Sequence, residues 1–461
     1  MKFPQTSKLL LLLGIVAMAL QPLTLRAQTA TASVGAATPA TDTPITLHEA
    51  IRLAQASDVA FRSATTDKTV AGLDKTIARS ALLPGVIYHN QYLYTQSGHP
   101  FPPSSNTINS GTTSVPIFIA NNAVHEYTSQ GVVTETIGVA SIADYHRLSA
   151  EAEASAARQE VARRGLVATV IGNYYGVLAA EKKIVVVQRS ADEALRFSQL
   201  TQKLESGREV AHADVVKANL QLQQRQRDLA DVRLAAEKAR LDLAVLLFQN
   251  PLTPYTLAND LDQFPTLPTK AEVQADGARN NPDLRAALQT TRAAKFELTA
   301  AKASYLPDLS LAYIYGIDAE RFAANGADGS RNLGYSAFVT IDIPVWDWFA
   351  TRSRVKQSAA RYDLANVELT ATQRQLIASL EELYNEASVA SDQVTSFDDS
   401  VRTAADSLRL TNLRYTAGEA SVLDVVDAQT SYSAAQLGQV DAVVRYHLAF
   451  GQLQTLTGKL P

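Results

Sequence analysis

Residues 415–429 have the sequence YTAGEASVLDVVDAQ. This stretch lies between two long helical patterns and predicts a helix–turn–helix joint. Gly418 can adopt the left-handed backbone conformation that ends a helix, and Ser421 is a favourable N-cap for the next helix. Asp424 follows three residues later and resembles a capping box with Asp in place of Glu. Asp424 and Asp427 therefore share one face of the second helix's first turns.

A similar stretch occurs earlier, at residues 204–219, with the sequence LESGREVAHADVVKAN. Gly207 takes the place of Gly418, DVVKAN matches DVVDAQ, and the predicted turn is one residue longer. Recurrence of one unit within a chain indicates internal duplication. We therefore predict two repeats, residues 45–264 and 265–461.

Each repeat contains two stretches with strand character, at residues 86–96, 126–139, 309–316 and 335–343. In the last two, alternating apolar side chains give the strand one apolar and one polar face. Such strands are long enough to cross a bilayer. Four strands cannot close a barrel, for which about eight or more are expected, and lipid does not tolerate unpaired edges. Association of three chains would resolve this conflict, since three sets of four strands make twelve.

The long helical pattern before Gly418 has apolar or small residues at alternating steps of four and three. This spacing is that of helices packed side by side in a coiled coil. The pattern continues for about 65 residues, or roughly 100 Å of helix. A coiled-coil rod would account for this helix but not for the strands. The spaced residues are Leu376, Leu380, Leu383, Ala387, Ala390, Val394, Phe397, Val401, Ala404, Leu408, Thr411 and Tyr415.

The N-terminal residues 1–27 resemble a secretory signal, with Lys2 and Lys8 ahead of an apolar run and a cleavage site after Ala27. The alternative is an uncleaved anchor, although an apolar run of about 12 residues is short for a membrane span. Residues 28–44 are rich in Ala, Thr and Pro and predict a flexible lead-in. We therefore expect an exported protein.

The composition excludes several classes of chemistry. The 461 residues include no cysteine, which excludes disulfides and thiolate metal sites, and the formal charge of −4 gives no reason to expect nucleic acid as a partner. The seven histidines are scattered without metal-binding spacing, and the sequence contains no glycine-rich phosphate loop. The sequence predicts no enzyme, no cofactor and no resident metal.

Taken together, these features resemble the outer-membrane efflux protein family, the TolC-like outer membrane factors, over residues 45–458. The resemblance implies a mainly α-helical trimer with four strands per protomer. Its twelve-stranded β-barrel would lie in the outer membrane and continue as a long α-helical barrel across the periplasm. It also implies contact with outer-membrane lipid, a periplasmic adaptor (membrane fusion) protein and an inner-membrane pump. The motifs that carry it are Asn281-Pro282, Leu306-Pro307, Ile343-Pro344-Val345-Trp346 and Tyr415-x-x-Gly418-x-x-Ser421-x-x-Asp424-Val425-x-Asp427-Ala428-Gln429.

The resemblance assigns roles to residues of the two joints, which lie at the periplasmic tip in that family. Asp424 and Asp427 match two aspartates that form carboxylate rings at the channel constriction. The alternative is that both only complement the positive end of the helix. Tyr415 and Asp214 match a tyrosine and an aspartate that pair at the closed tip, which predicts a Tyr415–Asp214 hydrogen bond in the resting state.

The tip turns would be formed by Gly207, Gly418 and Ser421. One departure from the family pattern is Ala420, which occupies the place of an arginine that links protomers. Arg208 and Arg414 are the candidates to replace that arginine.

Two tryptophans, Trp346 and Trp348, directly follow the last predicted strand, with Phe349 beside them. They suit an aromatic girdle at the membrane interface. Packing of these rings at a strand–helix junction is the alternative interpretation.

The function that these features favour is a passive exit duct of a tripartite efflux or type I secretion system. An exported coiled-coil structural or adhesin protein is the main alternative, but it predicts no alternating strands. A periplasmic adaptor should have one helical hairpin inserted in β-rich domains. A hydrolase using Asp424 and Asp427 as paired carboxylates would need a pocket, which an open helical joint does not provide. The sequence predicts no particular cargo.

Overall fold

The computed structural model describes residues 44–94, 125–326, 329 and 331–459. The predicted signal, most of the lead-in and most of the first long loop lie outside the described residues. Ile45–Thr253 and Leu257–Pro461 form one compact unit, to which the following description is confined.

Within the described ranges, two helices, two strands and two helices follow one another, and then this order recurs. Each predicted strand overlaps an observed one, and residues 95 and 96 of the first prediction lie outside the described residues. The division into two repeats, 45–264 and 265–461, stays a prediction. The elements are α1 (Leu47–Ser57), α2 (Val59–Ser80), β1 (Gly85–Tyr94), β2 (His125–Ile137), α3 (Val139–Ser206), α4 (His212–Leu247), α5 (Lys270–Asn280), α6 (Pro282–Ala303), β3 (Asp308–Ala319), β4 (Leu333–Asp342), α7 (Ala350–Thr416) and α8 (Val422–Thr457).

The first helical stretch of each half is broken once. Asp58 ends α1 in an extended conformation and caps α2, since its Oδ1 accepts a hydrogen bond from Phe61 N at 2.6 Å. Asn281 does the same for α6, with Leu284 N at 2.8 Å from its Oδ1. Pro282 follows it, and a residue before proline disfavours the helical conformation.

The four strands form one antiparallel sheet in the order β1-β2-β3-β4. Val86, Val133, Tyr313 and Ala337 are successive partners across it and therefore share a face. That face is mostly apolar and exposed, as Val86 (76%), Tyr335 (75%) and Val339 (70%) show, with Glu135 as an exception on it. β1 and β4 each have one partner strand in the described chain, so the sheet ends in two unpaired edges.

The long helices pack lengthwise. α3 contacts α1, α2, α4, α6 and α8, and α7 contacts α5, α6 and α8. Every residue of the predicted heptad series in α7 is buried or half-buried, which confirms the coiled-coil spacing. With 67 residues, α7 is roughly 100 Å long. None of the helices in the described ranges is both long and apolar enough to cross a membrane.

The segment after α4 lies across α3 and α8, and we call residues 257–269 the strap. The Tyr174 hydroxyl donates to Ala258 O at 2.7 Å, and Lys182 Nζ lies 2.7 Å from Asp262 Oδ1. On the other side, the hydroxyl of Tyr446 donates to Pro265 O. These contacts fix the connection between the halves to two long helices.

Candidate functional site

The joint between α7 and α8 has the predicted geometry. Gly418 adopts a left-handed conformation with φ of 77°, and Glu419 N donates to Arg414 O at 2.8 Å across the turn. Ser421 caps α8, since its Oγ accepts from Asp424 N at 3.2 Å. Asp424 Oδ2 in turn accepts from Ser421 N at 2.8 Å. The predicted capping box is therefore confirmed.

The joint between α3 and α4 corrects the comparison made from sequence. Gly207 has a φ of −77°, an ordinary right-handed value, and Arg208 with φ of 62° takes the left-handed position. Glu209 N donates to Leu204 O at 2.9 Å, the same bond that Glu419 makes to Arg414. Both turns span five residues, 207–211 and 417–421. The sequence comparison that made Gly207 equivalent to Gly418, with a longer first turn, was wrong. The backbone hydrogen bonds show that Arg208 is the residue equivalent to Gly418.

The two joints pack against each other. One apolar cluster contains Phe197 from α3, Ala218 from α4, and Tyr415, Val422 and Val425 from the second joint. The rings of Phe197 and Tyr415 have centroids 5.1 Å apart. Residues that lie far apart in sequence thus form a single tip at this end of the long helices.

The structure does not bring Tyr415 and Asp214 into a hydrogen bond within the described chain. The buried Tyr415 hydroxyl donates to Thr201 Oγ1 at 3.4 Å, whereas Asp214 is half-buried at the start of α4. The predicted Tyr415–Asp214 bond therefore stays a prediction about contact between neighbouring joints of an assembly.

Asp424 and Asp427 are both exposed on the first turns of α8. Hydrogen bonds from the backbone and then the side chain of Ser421 lower the pKa of Asp424, and the Arg414 charge adds to this effect. Asp427 has no ion-pair partner among the residues that the structure covers. Because Asp214 and Lys217 occupy the equivalent positions of α4, the second joint is the more acidic one.

The position of the missing arginine, Ala420, is half-buried at the edge of the tip cluster. Arg414 reaches across its own turn, where Nη2 donates to Glu419 O at 3.3 Å. In the first joint, His212 Nδ1 lies 2.6 Å from Glu205 Oε1. The sequence does not predict this pair, since its members lie seven positions apart across a turn and follow no helical spacing.

The aromatic residues after β4 form an exposed group of rings. Trp346 contacts Trp348 and Phe349 at centroid distances of 5.8 and 5.2 Å. Trp346 is 63% exposed and Trp348 is 83% exposed. Both Trp348 and Phe349 have left-handed backbones, with φ of 56° and 65°. In this chain the rings therefore contact each other rather than filling the strand–helix junction.

Sequence reasoning also missed a cavity of about 570 Å³ beneath the strap. His447 of α8 lies in its wall, stacked on Tyr175 with ring centroids 4.6 Å apart. His447 Nε2 is 3.2 Å from Leu261 O, and the Tyr175 hydroxyl donates to Asp260 Oδ2 at 3.3 Å. Burial lowers the pKa of His447. The strap contacts are therefore built around a buried histidine.

Comparison with known proteins places these features in context. A family model described as "Outer membrane efflux protein" matches residues 276–459. The chain is 24% identical to outer membrane protein TolC of Escherichia coli (strain K12) over 88% of this chain and 80% of TolC. It is 21% identical to the alkaline protease secretion protein AprF of Pseudomonas aeruginosa, over 90% of this chain and 84% of AprF.

The fold is that of solved outer-membrane channels. The outer membrane protein VceC of Vibrio cholerae superposes with a TM-score of 0.75 at 16% identity, covering 89% of this chain and 96% of VceC. The family model over residues 276–459, the relatives along most of the chain and the shared fold all support an outer membrane efflux (TolC-like) protein.

Proposed function

We propose that three copies of this chain form the outer-membrane exit duct of a tripartite efflux or type I secretion system. The observation that carries the proposal is the four-stranded sheet with two unpaired edges and an exposed apolar face. A sheet with open edges is unstable in lipid. Pairing of β4 in one copy with β1 in the next would remove both edges, and three copies of four strands would give a barrel of twelve.

The long helices support the same assembly. α3 and α7 extend for roughly 100 Å from the strands to the joints. Exposed apolar side chains along α4 and α7, such as Leu234 (72%) and Val367 (63%), remain uncovered in one copy. Packing between copies would cover them and continue the barrel as a helical tube across the periplasm.

The joints would form the narrow end of this tube. Asp424 and Asp427 are exposed, so three copies would contribute six carboxylates around a small opening. Rings of carboxylates favour cations and bind multivalent ones. The Tyr415–Asp214 bond between neighbouring joints would hold the closed state, and Arg414 is the cation that lies beside Asp424.

A passive duct needs partners that supply energy and choose the cargo. We assign those roles to a periplasmic adaptor at the tip and a pump in the inner membrane. The family description refers to efflux and the name AprF to protease secretion. Since one fold occurs under both descriptions, cargo selection would lie in the pump rather than in this chain.

Cysteine cross-linking tests the assembly without background, because the natural chain has no cysteine. Val86→Cys on β1 would be combined in turn with Ala337→Cys, Val339→Cys or Ile341→Cys on β4. Val86, Ala337 and their alternating neighbours lie on one face. We expect at least one pair to give covalent dimers and trimers on a denaturing gel after oxidation.

A matched control joins residues that are already partners. Thr134→Cys and Ala312→Cys lie opposite each other on β2 and β3, so they should cross-link within one chain and leave a monomer band. Monomers from all three β1–β4 pairs, together with a native mass of a single chain, would refute the closed assembly.

A further inference from the structure

The aromatic group at the β4–α7 junction has a composition that the duct function does not require. We define the junction patch as Trp346, Trp348 and Phe349 together with the basic side chains that follow. Trp346 and Trp348 are the chain's only tryptophans. Bulky residues rarely adopt positive φ, yet Trp348 and Phe349 do so in succession. The surrounding fold therefore holds these rings in an exposed group at some energetic cost.

Three basic residues follow the rings within a few positions of the sequence. Arg352, Arg354 and Lys356 lie in the first two turns of α7 and all are exposed. The first turn contains no acidic residue. Positive charge near a helix N-terminus opposes the helix dipole, so these side chains do not serve the stability of α7.

The carboxylate between the two tryptophans is already engaged. Asp347 Oδ2 accepts a hydrogen bond from Thr351 N at 2.6 Å and so caps α7. Hydrogen bonds from Thr351 lower the pKa of Asp347, and the Arg354 charge contributes. Neither Arg352 nor Lys356 forms an ion pair with any residue in the described part of the chain. Two positive charges beside an exposed aromatic surface are thus left for an external anion.

The equivalent junction between β2 and α3 differs. Gly138 precedes α3, and residues 139–146 contain neither tryptophan nor a basic side chain other than His146. The combination of rings and cations is therefore a property of one junction and does not come with every strand–helix connection in this fold.

On the basis of the proposed function, we infer that the junction patch binds anionic phospholipid headgroups in the periplasmic leaflet of the outer membrane. Tryptophan rings favour the boundary between headgroups and acyl chains. Basic residues next to a membrane-crossing segment attract anionic lipid. The rings would contact the glycerol and upper acyl region while Arg352 and Lys356 bind the phosphate.

The two tryptophans report on this site directly. Acyl-brominated phospholipids quench tryptophan fluorescence on contact. The full-length protein would be reconstituted in vesicles of phosphatidylcholine and phosphatidylglycerol in fixed proportion, with bromine on one lipid or the other. We expect brominated phosphatidylglycerol to quench as though enriched roughly fivefold over its bulk fraction, about the contribution of one basic residue at a lipid surface. Added salt should reduce the enrichment.

Variants that each remove two positive charges distinguish a preference for anionic lipid from mere contact of the patch with the membrane. Arg352→Gln/Lys356→Gln should abolish the preference and retain quenching by both lipids. The control Lys238→Gln/Arg374→Gln removes two exposed charges elsewhere and should keep the preference. Equal quenching by both lipids in the natural protein would overturn the inference and leave the duct intact. Absence of quenching in vesicles of entirely brominated lipid would instead contradict the placement of this junction at a membrane.

Discussion

Arg208 occupies in the first joint the left-handed position that Gly418 occupies in the second. The hydrogen bond that closes each turn is the same, 2.9 Å from Glu209 N to Leu204 O and 2.8 Å from Glu419 N to Arg414 O. Left-handed backbone costs a non-glycine residue roughly 1–2 kcal/mol. Gly207 therefore lies one position before the left-handed residue of its turn, and the backbone strain falls on Arg208.

Arg208→Gly should stabilise the folded chain by about 0.5–1 kcal/mol. Glycine adopts the left-handed conformation without strain, and this gain exceeds the cost of the greater conformational entropy that glycine gives the unfolded chain. The matched change Gly418→Ala should destabilise it by about 1 kcal/mol. Both are measured as shifts in thermal unfolding midpoint. A lower midpoint for Arg208→Gly would contradict the turn geometry assigned here.

Tyr415 offers two possible roles that mutation can separate. Its hydroxyl has a long in-chain bond to Thr201 at 3.4 Å, so Tyr415→Phe should change stability by less than about 1.5 kcal/mol. If the hydroxyl also pairs with Asp214 of a neighbouring copy, the same variant should raise the closed-state conductance. Thr201→Val removes only the in-chain partner and should leave conductance unchanged. Equal conductance for Tyr415→Phe and the natural protein would place the latch elsewhere.

Elements set by local sequence patterns could be predicted from the sequence, whereas contacts between distant segments could not. The capping box at Ser421 and the alternation of β3 and β4 are local patterns, and the structure has them where expected. The heptad spacing of α7 is also a local pattern, and its positions are buried or half-buried. The left-handed turn at Arg208 depends instead on bonds between Glu209 and Leu204 and on packing between two joints. The strap contacts join α3 to α8 through residues 80 or more positions apart, such as Tyr174 with Ala258, and no local pattern encodes them.

Gly438 of α8 packs closely against α7. A Cβ added to Gly438 would lie 2.4 Å from Cε1 of Phe397, a stiff ring in the heptad series. Gly438→Ala should therefore destabilise the chain by about 1–3 kcal/mol through overpacking. Gly172→Ala in α3 meets nothing within 4 Å and should instead stabilise by roughly 0.5–1 kcal/mol. Unfolding midpoints that move in the same direction for both variants would contradict the α7–α8 contact.

The strap predicts a specific acid sensitivity. Burial lowers the pKa of His447 below its ordinary 6.5, with Asp260, Asp262 and Lys182 as the charged groups around it. Because the folded state then binds fewer protons than the unfolded state, the His447 contribution to stability is complete above pH 6.5. It is lost as the pH falls from there towards the folded-state pKa.

We expect the unfolding midpoint of the natural protein to decline in that acid window and the decline to be smaller in His447→Gln. His89→Gln, which removes an exposed histidine from β1, should follow the natural protein. Identical pH profiles for all three proteins would show that His447 is not held in its neutral form by the strap.

At the scale of the whole molecule, the sheet and the joints lie at opposite ends of α3 and α7. Each end has exposed groups that an assembly of several copies would cover or bring together. The sheet needs partners for two edges, and the joints present exposed carboxylates with no partner for Asp427 among the described residues. The proposed trimeric duct would provide for both ends. A coiled-coil rod would explain the heptads but would leave the sheet edges and its exposed apolar face without a role.

Single-channel conductance in a planar bilayer measures both the duct and its proposed constriction. The natural protein would be compared with Asp424→Asn/Asp427→Asn, with and without hexaamminecobalt(III) on the periplasmic side. Asp231→Asn/Asp392→Asn, which removes two exposed carboxylates elsewhere on the helices, serves as the control. We predict a small cation-selective conductance that the trivalent ion blocks in the natural protein and the control but not in the Asp424/Asp427 variant. Equal block in all three would contradict an aspartate-lined constriction, and a protein that forms no channel would contradict the duct itself.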